Sequence, residues 1–194
     1  MKEQILQEAK KLGLEILDFL KNPIHGIRQI PTWTWREVLL CQAAISAATG
    51  VLTGLVSRSF VQMFLALFLS PIITAAIAGI STLFLYYAFQ VISGRTLSFR
   101  QLYTLLFFSN IPFFIFQIVS DLIPPITLIG LAFTGLLLIV GLVENFQLPK
   151  KHVLYLVAAI YLAFFIIWTS NRVKSYLSED STSSHRAPPV YLEQ

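Results

Sequence analysis

The residues that could do chemistry are few in this chain and lie far apart in sequence. There is one cysteine, Cys41, and there are three histidines, at positions 25, 152 and 185. No two of these stand at the spacing of metal ligands, and a lone cysteine cannot form a disulfide within the chain. Glycine-rich phosphate loops and the Gly-x-Ser-x-Gly nucleophile motif are absent from the sequence. The sequence therefore predicts no metal site, no cofactor and no enzymatic activity.

The carboxylates avoid the middle of every long apolar segment. Glu37 stands at the start of the first segment, and Asp121 and Glu144 stand at segment ends. General acid–base catalysis needs a titratable group beside the reacting atom, and coupled transporters commonly carry such groups at mid-membrane depth. We therefore expect neither catalysis nor carboxylate-coupled transport. No basic helix or motif predicts a nucleic-acid partner.

One apolar stretch, "LYTLLFFSNIPFFIF" over residues 102–116, holds polar residues and a proline at its centre. Pro112 cannot donate a hydrogen bond to the carbonyl of Phe108, and an unpaired carbonyl is costly in hydrocarbon. We favour a kink that is repaired by Ser109 and Asn110, with Asn110 joining two helices. The alternative is a hinge or a polar binding spot at mid-membrane.

The composition indicates which elements position these residues. Hydrophobic residues make up 56% of the chain and charged residues only 12%, with a mean hydropathy of +0.71. Soluble domains carry about 25% charged residues. The sequence therefore predicts an integral membrane protein.

Five segments are long and apolar enough for membrane helices, which need about 20 residues each. The expected fold is all-α, a polytopic bundle with five transmembrane helices at 38–56, 71–92, 99–120, 124–143 and 152–168. Small residues in the first segment predict close helix packing. Residues 60–70, which Pro71 separates from the second segment, are interpreted as an interfacial helix, a re-entrant helix or the outer part of a kinked span.

The turn before the third segment carries helix signals. Gly94 is expected to stop the preceding helix. Ser98 and Gln101 fit the capping-box pattern, in which each side chain bonds the other residue's backbone N–H.

The first 22 residues predict an amphipathic interfacial helix. Its apolar stripe runs through Ile5, Ala9, Leu12, Ile16 and Leu20, with Leu14 and Phe19 off the stripe. Its four lysines and four acidic residues cancel. The stripe could therefore lie on the bilayer, on the protein's own surface or on a partner helix, and we favour the first two.

The chain is thus divided into the helix at 1–22, a membrane domain at 23–170 and a polar tail at 171–194 that is expected to be disordered. If the N-terminus is cytoplasmic, ten Lys and Arg residues fall inside and four outside, as the positive-inside rule requires. The C-terminus is then outside. The absence of N-glycosylation motifs fits a bacterial inner membrane.

The stretch "GRTLSFRQLYTLLFFSNIPFF", from Gly94 to Phe114, resembles the Yip domain family of Ypt/Rab-interacting integral membrane proteins. The resemblance covers roughly residues 23–170, including a proline before the first span and another that opens the second. It implies a five-span membrane protein with a cytoplasmic N-terminus, and it offers no catalytic residues. The positions that carry over as structural, or as candidates for function, are Gly94, Ser98, Arg100, Asn110, Pro112 and Pro71.

The resemblance also implies a class of function. Eukaryotic members are adaptors of secretory membranes that associate with Rab-type GTPases. This sequence lacks their Asp-Leu-x-Gly-Pro stretch and is more similar to prokaryotic members. We predict a non-enzymatic scaffold or adaptor that contacts membrane lipids, a second copy of itself, or protein partners through its N-terminal helix and cytoplasmic loops. The alternative is a small-solute or lipid transporter or channel whose pathway includes Asn110.

Overall fold

The structure is a computed structural model that describes residues 2–94, 96–120, 122–123 and 125–183. Within these ranges the chain forms seven helices and no strand. They are α1 (Lys2–Lys21), α2 (Pro23–Arg28), α3 (Trp35–Val56), α4 (Phe60–Ser93), α5 (Phe99–Gln117), α6 (Ile126–Phe146) and α7 (Lys150–Ser183). A first compact unit extends to Val157 and contains α1 to α6 with the start of α7, and a second begins at Ala158.

Among the described residues, three helices are long and apolar enough to cross a membrane. They are α3, the Met63–Ser93 part of α4, and α6. α5 carries several polar residues, yet ten of its 19 residues are buried, and it packs against α3, α4 and α6. Because its neighbours enclose it, its Thr and Ser side chains do not face lipid. The all-helical membrane architecture is confirmed, whereas five spans stay a prediction.

The structure assigns residues 60–70 to the first turns of α4, which continues through Pro71 as one helix of 34 residues. At 1.5 Å per residue this helix is about 51 Å long, against about 30 Å for the hydrocarbon core of a bilayer. Ser70 ties this part of the helix to α3, because its Oγ donates to the carbonyl of Ser46 at 2.9 Å. A separate interfacial or re-entrant helix is therefore not present, and the third interpretation fits.

Small residues let α3 and α4 approach closely. A Cβ added at Gly50 would lie 2.8 Å from the Cβ of Ala66, and one added at Gly54 would lie 2.7 Å from the Cα of Met63. Gly50 and Gly54 are one helical turn apart, so together they form a flat strip on α3. The predicted close packing of this segment is confirmed.

The capping box forms at a different helix from the one that the sequence predicted. Ser98 is the N-cap of α5, but its side chain makes no capping hydrogen bond. The box forms at α3, where Thr34 N donates to Glu37 Oε2 at 2.6 Å and Glu37 N donates to Thr34 Oγ1 at 3.4 Å. A carboxylate is a stronger acceptor than the amide of Gln101, and water can serve the exposed Ser98.

α7 continues to Ser183, so the structure differs from the predicted disorder over residues 171–183. The physical reason is that no glycine or proline lies between Lys150 and Ser183 to stop the helix. Residues 184–194, which hold the rest of the predicted tail, lie outside the described residues.

Candidate interaction surface

A short N-terminal cap, residues 12–33, packs on the bundle. Phe19 is 4% exposed, and its ring lies 5.1 Å from that of Phe108 in α5. The ring of Trp33 lies 4.9 Å from Phe108 and 5.9 Å from Phe107. A Cβ added at Gly26 would lie 2.8 Å from the ring of Phe19. The cap is therefore held by an aromatic cluster that joins α1, α2 and the following loop to α5.

A polar contact fixes Trp33 within this cluster. Its indole Nε1 donates a hydrogen bond to Oε2 of Glu15. The other carboxylate oxygen of Glu15 lies 3.8 Å from the ammonium of Lys11, and the Lys11 side chain is mostly exposed. Hydrogen bonds to a charged acceptor contribute more to stability than neutral ones. This bond is therefore the main polar contact between α1 and the loop that joins α2 to α3.

We expect Trp33→Phe to lower the free energy of unfolding by about 1–2 kcal/mol, because it removes a charge-assisted bond and keeps most of the ring packing. Trp35→Phe is the matched control: Trp35 contacts Phe99 and Tyr103 through its ring and is 41% exposed. Thermal unfolding in detergent measures both. An equal loss for the two variants would show that the bond to Glu15 contributes nothing of its own.

Asn145, near the end of α6, holds the other side of the cap. Its Nδ2 donates to the carbonyls of Ile27 at 2.8 Å and Gly141 at 2.9 Å, and its Oδ1 accepts from Ile30 N at 3.2 Å. Ile27 is fully buried, and a Cβ added at Gly141 would lie 3.1 Å from its Cγ1. Asn145 thus satisfies backbone groups that the short helix α2 leaves unpaired at its end. Asn145 was not among the residues predicted from the sequence, although an amide at the end of an apolar span was the available signal.

The apolar face of α1 is only partly covered by the bundle. Leu12 and Phe19 form the buried edge, whereas Leu17 is 54% exposed and Leu20 is 39% exposed. In α2, Ile24 is also exposed, at 58%. The prediction that Phe19 falls off the apolar stripe is wrong, because the docked edge is centred on Leu12 and Phe19, two turns apart. Leu17, Leu20 and Ile24 are named here the exposed apolar edge of the cap.

Most cations of the first compact unit lie at the end of the bundle that bears the cap. Trp35 places the start of α3 beside the start of α5, and Asn145 brings the end of α6 to the cap. The exposed basic residues of these elements and of the start of α7 are Lys10, Lys11, Lys21, Arg28, Arg36, Arg100, Lys150 and Lys151. Among the described residues of this unit, Arg58 is the one cation at the opposite end.

Three of the six residues that the sequence predicted as structural or functional lie at the turn between α4 and α5. Gly94 has φ +63° and its N–H donates to the carbonyl of Gln90 at 3.0 Å, so its predicted role as a helix stop is confirmed. Ser98 is the exposed N-cap, and Arg100 is exposed in the first turn of α5.

The other three lie elsewhere. Asn110 and Pro112 are about 15–18 Å beyond Arg100 along α5, both half-buried, and α5 stays helical through Pro112. Pro71 is inside α4. The predicted repair by Ser109 is wrong, since its Oγ is buried without a hydrogen-bond partner. The six residues therefore do not form one site.

The described residues contain no group of three His, Cys, Asp or Glu side chains that could hold a metal ion. Three features define the class of this protein as a polytopic α-helical membrane protein. They are the apolar helices, the buried helix α5 and the cap that packs on the bundle.

A family model described as the Yip1 domain matches residues 17–170, most of the chain, and the protein therefore belongs to the Yip1 domain family. No curated protein and no solved structure matches the chain. The family resemblance that residues 94–114 carried is thereby confirmed.

Proposed function

We propose that this protein is a non-enzymatic membrane scaffold or adaptor whose contact surface is the N-terminal cap. The observation that carries the proposal is the divided apolar face of α1. One edge, at Leu12 and Phe19, is buried against the bundle, and the exposed apolar edge is left uncovered. A neutral helix with such a face binds a bilayer surface or a partner helix through apolar contact, since it has no net charge for anionic lipid.

The proposal includes a topology of five spans. The apolar character of α3, α4 and α6 supports three of them. The enclosed position of α5 supports a fourth, and the apolar composition of residues 152–168 supports the fifth. The basic residues at the cap end support a cytoplasmic N-terminus, and with five spans the C-terminus is then outside. The lack of N-glycosylation motifs in the sequence fits a bacterial inner membrane.

Within this topology we propose structural roles for the six singled-out residues. Gly94 and Ser98 shape the turn into α5, and Arg100 anchors that turn at the headgroup level. The last three, Asn110, Pro112 and Pro71, adjust helix packing inside the bundle. The proposed domains are the helix at 1–22, the membrane domain at 23–170 and the tail after it.

A transport or channel function is the second candidate, and buried polar atoms favour it. Ser109 Oγ is buried in the bundle without a hydrogen-bond partner, and the Gln42 side chain and the Tyr103 hydroxyl are buried beside each other. Polar groups of this kind can line a solute path. We rank this candidate below the scaffold because each of the three residues is at most 3% exposed.

Site-specific photo-crosslinking in native membranes tests the scaffold proposal. A photoreactive residue is placed at Leu17 on the exposed apolar edge, with a matched variant at Lys11 on the charged face of the same helix. We expect phospholipid adducts or a discrete protein adduct at Leu17, well above the yield at Lys11. Equal yields at the two positions would refute a role for the exposed apolar edge.

A further inference from the structure

The turn between α3 and α4, at the end of the bundle opposite the cap, holds an arginine in an unusual backbone conformation. Arg58 has φ +54°. Its N–H donates to the carbonyl of Leu55 at 3.1 Å, and Ser59 N donates to the carbonyl of Gly54 at 3.0 Å. These two bonds form a Schellman motif, whose left-handed position is usually glycine because other residues are strained there. An arginine at this position therefore destabilises the turn relative to glycine.

A cavity of about 210 Å³ opens beside this arginine. Its lining consists of Gly54, Leu55, Arg58, Ser59, Phe60 and Met63, so Arg58 is its one charged side chain. The apolar surface continues from the cavity along α4, where Phe60 is 81% exposed, Phe64 66% and Phe68 62%. The site thus combines a cation, a small cavity and an adjoining apolar track.

We propose that this cavity binds an anionic phospholipid, with the lipid phosphate on the Arg58 guanidinium and an acyl chain along the track from Phe60. A guanidinium can bind phosphate through two parallel hydrogen bonds. Arg58 is exposed and forms no ion pair with another described residue, so its donors are open to a ligand. Apart from Arg58 and Ser59 the lining is apolar, which favours a phospholipid over free phosphate.

Native mass spectrometry of the detergent-solubilised full chain with added phosphatidylglycerol tests this proposal. We expect Arg58→Gln to weaken binding of the first lipid about tenfold, the effect of losing one charge-assisted contact. Arg36→Gln, which neutralises an exposed arginine at the start of α3 and outside the cap, is the matched control and keeps wild-type binding. Inorganic phosphate should not compete. Equal binding by wild type and Arg58→Gln would overturn the proposal, and competition by inorganic phosphate would overturn the choice of a phospholipid.

Arg58→Gly separates ligand binding from turn geometry. Glycine relieves the left-handed strain, so we expect this variant to unfold in lipid-free detergent at the wild-type temperature or above it. It should nevertheless lose the stabilisation of about 3–5 °C that the wild type gains at tenfold excess of phosphatidylglycerol over its dissociation constant. If Arg58→Gly keeps the full lipid-dependent shift, the arginine is not the phosphate ligand. This result does not depend on the proposed function, which concerns the cap at the other end.

Discussion

Replacing Gly54 by alanine is expected to destabilise the bundle by about 2 kcal/mol, although alanine is the better helix former. The added methyl carbon would lie 2.7 Å from the Cα and 2.8 Å from the N of Met63. Both are backbone atoms, so no side-chain rotation relieves the clash and α3 must move away from α4. Overpacking of this kind costs about 1–3 kcal/mol, and it outweighs the gain in helix propensity of up to about 1 kcal/mol.

Gly79 provides the matched control for this substitution. It lies in the middle of α4, and a Cβ added there would meet no atom within 4 Å. We expect Gly79→Ala to be neutral or slightly stabilising, whereas Gly54→Ala should lower the unfolding temperature by about 4–8 °C for a chain of this size. Thermal unfolding in one detergent measures both. If Gly54→Ala unfolds at the wild-type temperature, the helices do not meet as closely as the geometry indicates.

Local signals in the sequence predicted the features that depend on neighbouring residues. The strip of small residues in α3 predicts its close packing because glycine leaves backbone exposed whatever the partner is. Gly94 predicts the end of α4 because its left-handed conformation needs no tertiary contact. In the same way, the apolar segments themselves predicted the membrane class.

Features that depend on distant residues could not be predicted in this way. The continuity of α4 past Pro71 is accompanied by the bond from Ser70 to Ser46, on another helix. The edge of α1 that docks is decided by Phe108 and Trp33, so the periodicity of α1 alone placed Phe19 wrongly. The pattern Ser/Thr-x-x-Glu/Gln occurs at both Thr34 and Ser98, and only the surroundings of each turn decide which one forms the capping box.

Asn145 is the clearest case of such long-range dependence, and Asn145→Leu is expected to have the second large effect. Leucine keeps the approximate size of the side chain and removes all three hydrogen bonds. The carbonyl of Ile27 and the N–H of Ile30 then lose their partner 115 or more residues away in sequence. Partly buried backbone groups left unpaired cost about 1–3 kcal/mol each. We expect the free energy required to detach the cap from α6 to fall by about 3 kcal/mol.

Hydrogen exchange of the cap distinguishes this local opening from global unfolding. A loss of about 3 kcal/mol raises the open population roughly 100-fold, so amides of residues 23–33 should exchange faster by about that factor. Amides of α3 and α4 should keep wild-type rates, because their contacts with each other do not involve Asn145. Glu144→Gln is the control: its side chain is exposed, and it should leave cap exchange unchanged. Uniformly faster exchange in the cap, α3 and α4 would instead mean that Asn145 stabilises the whole bundle and that the cap does not open as a separate unit.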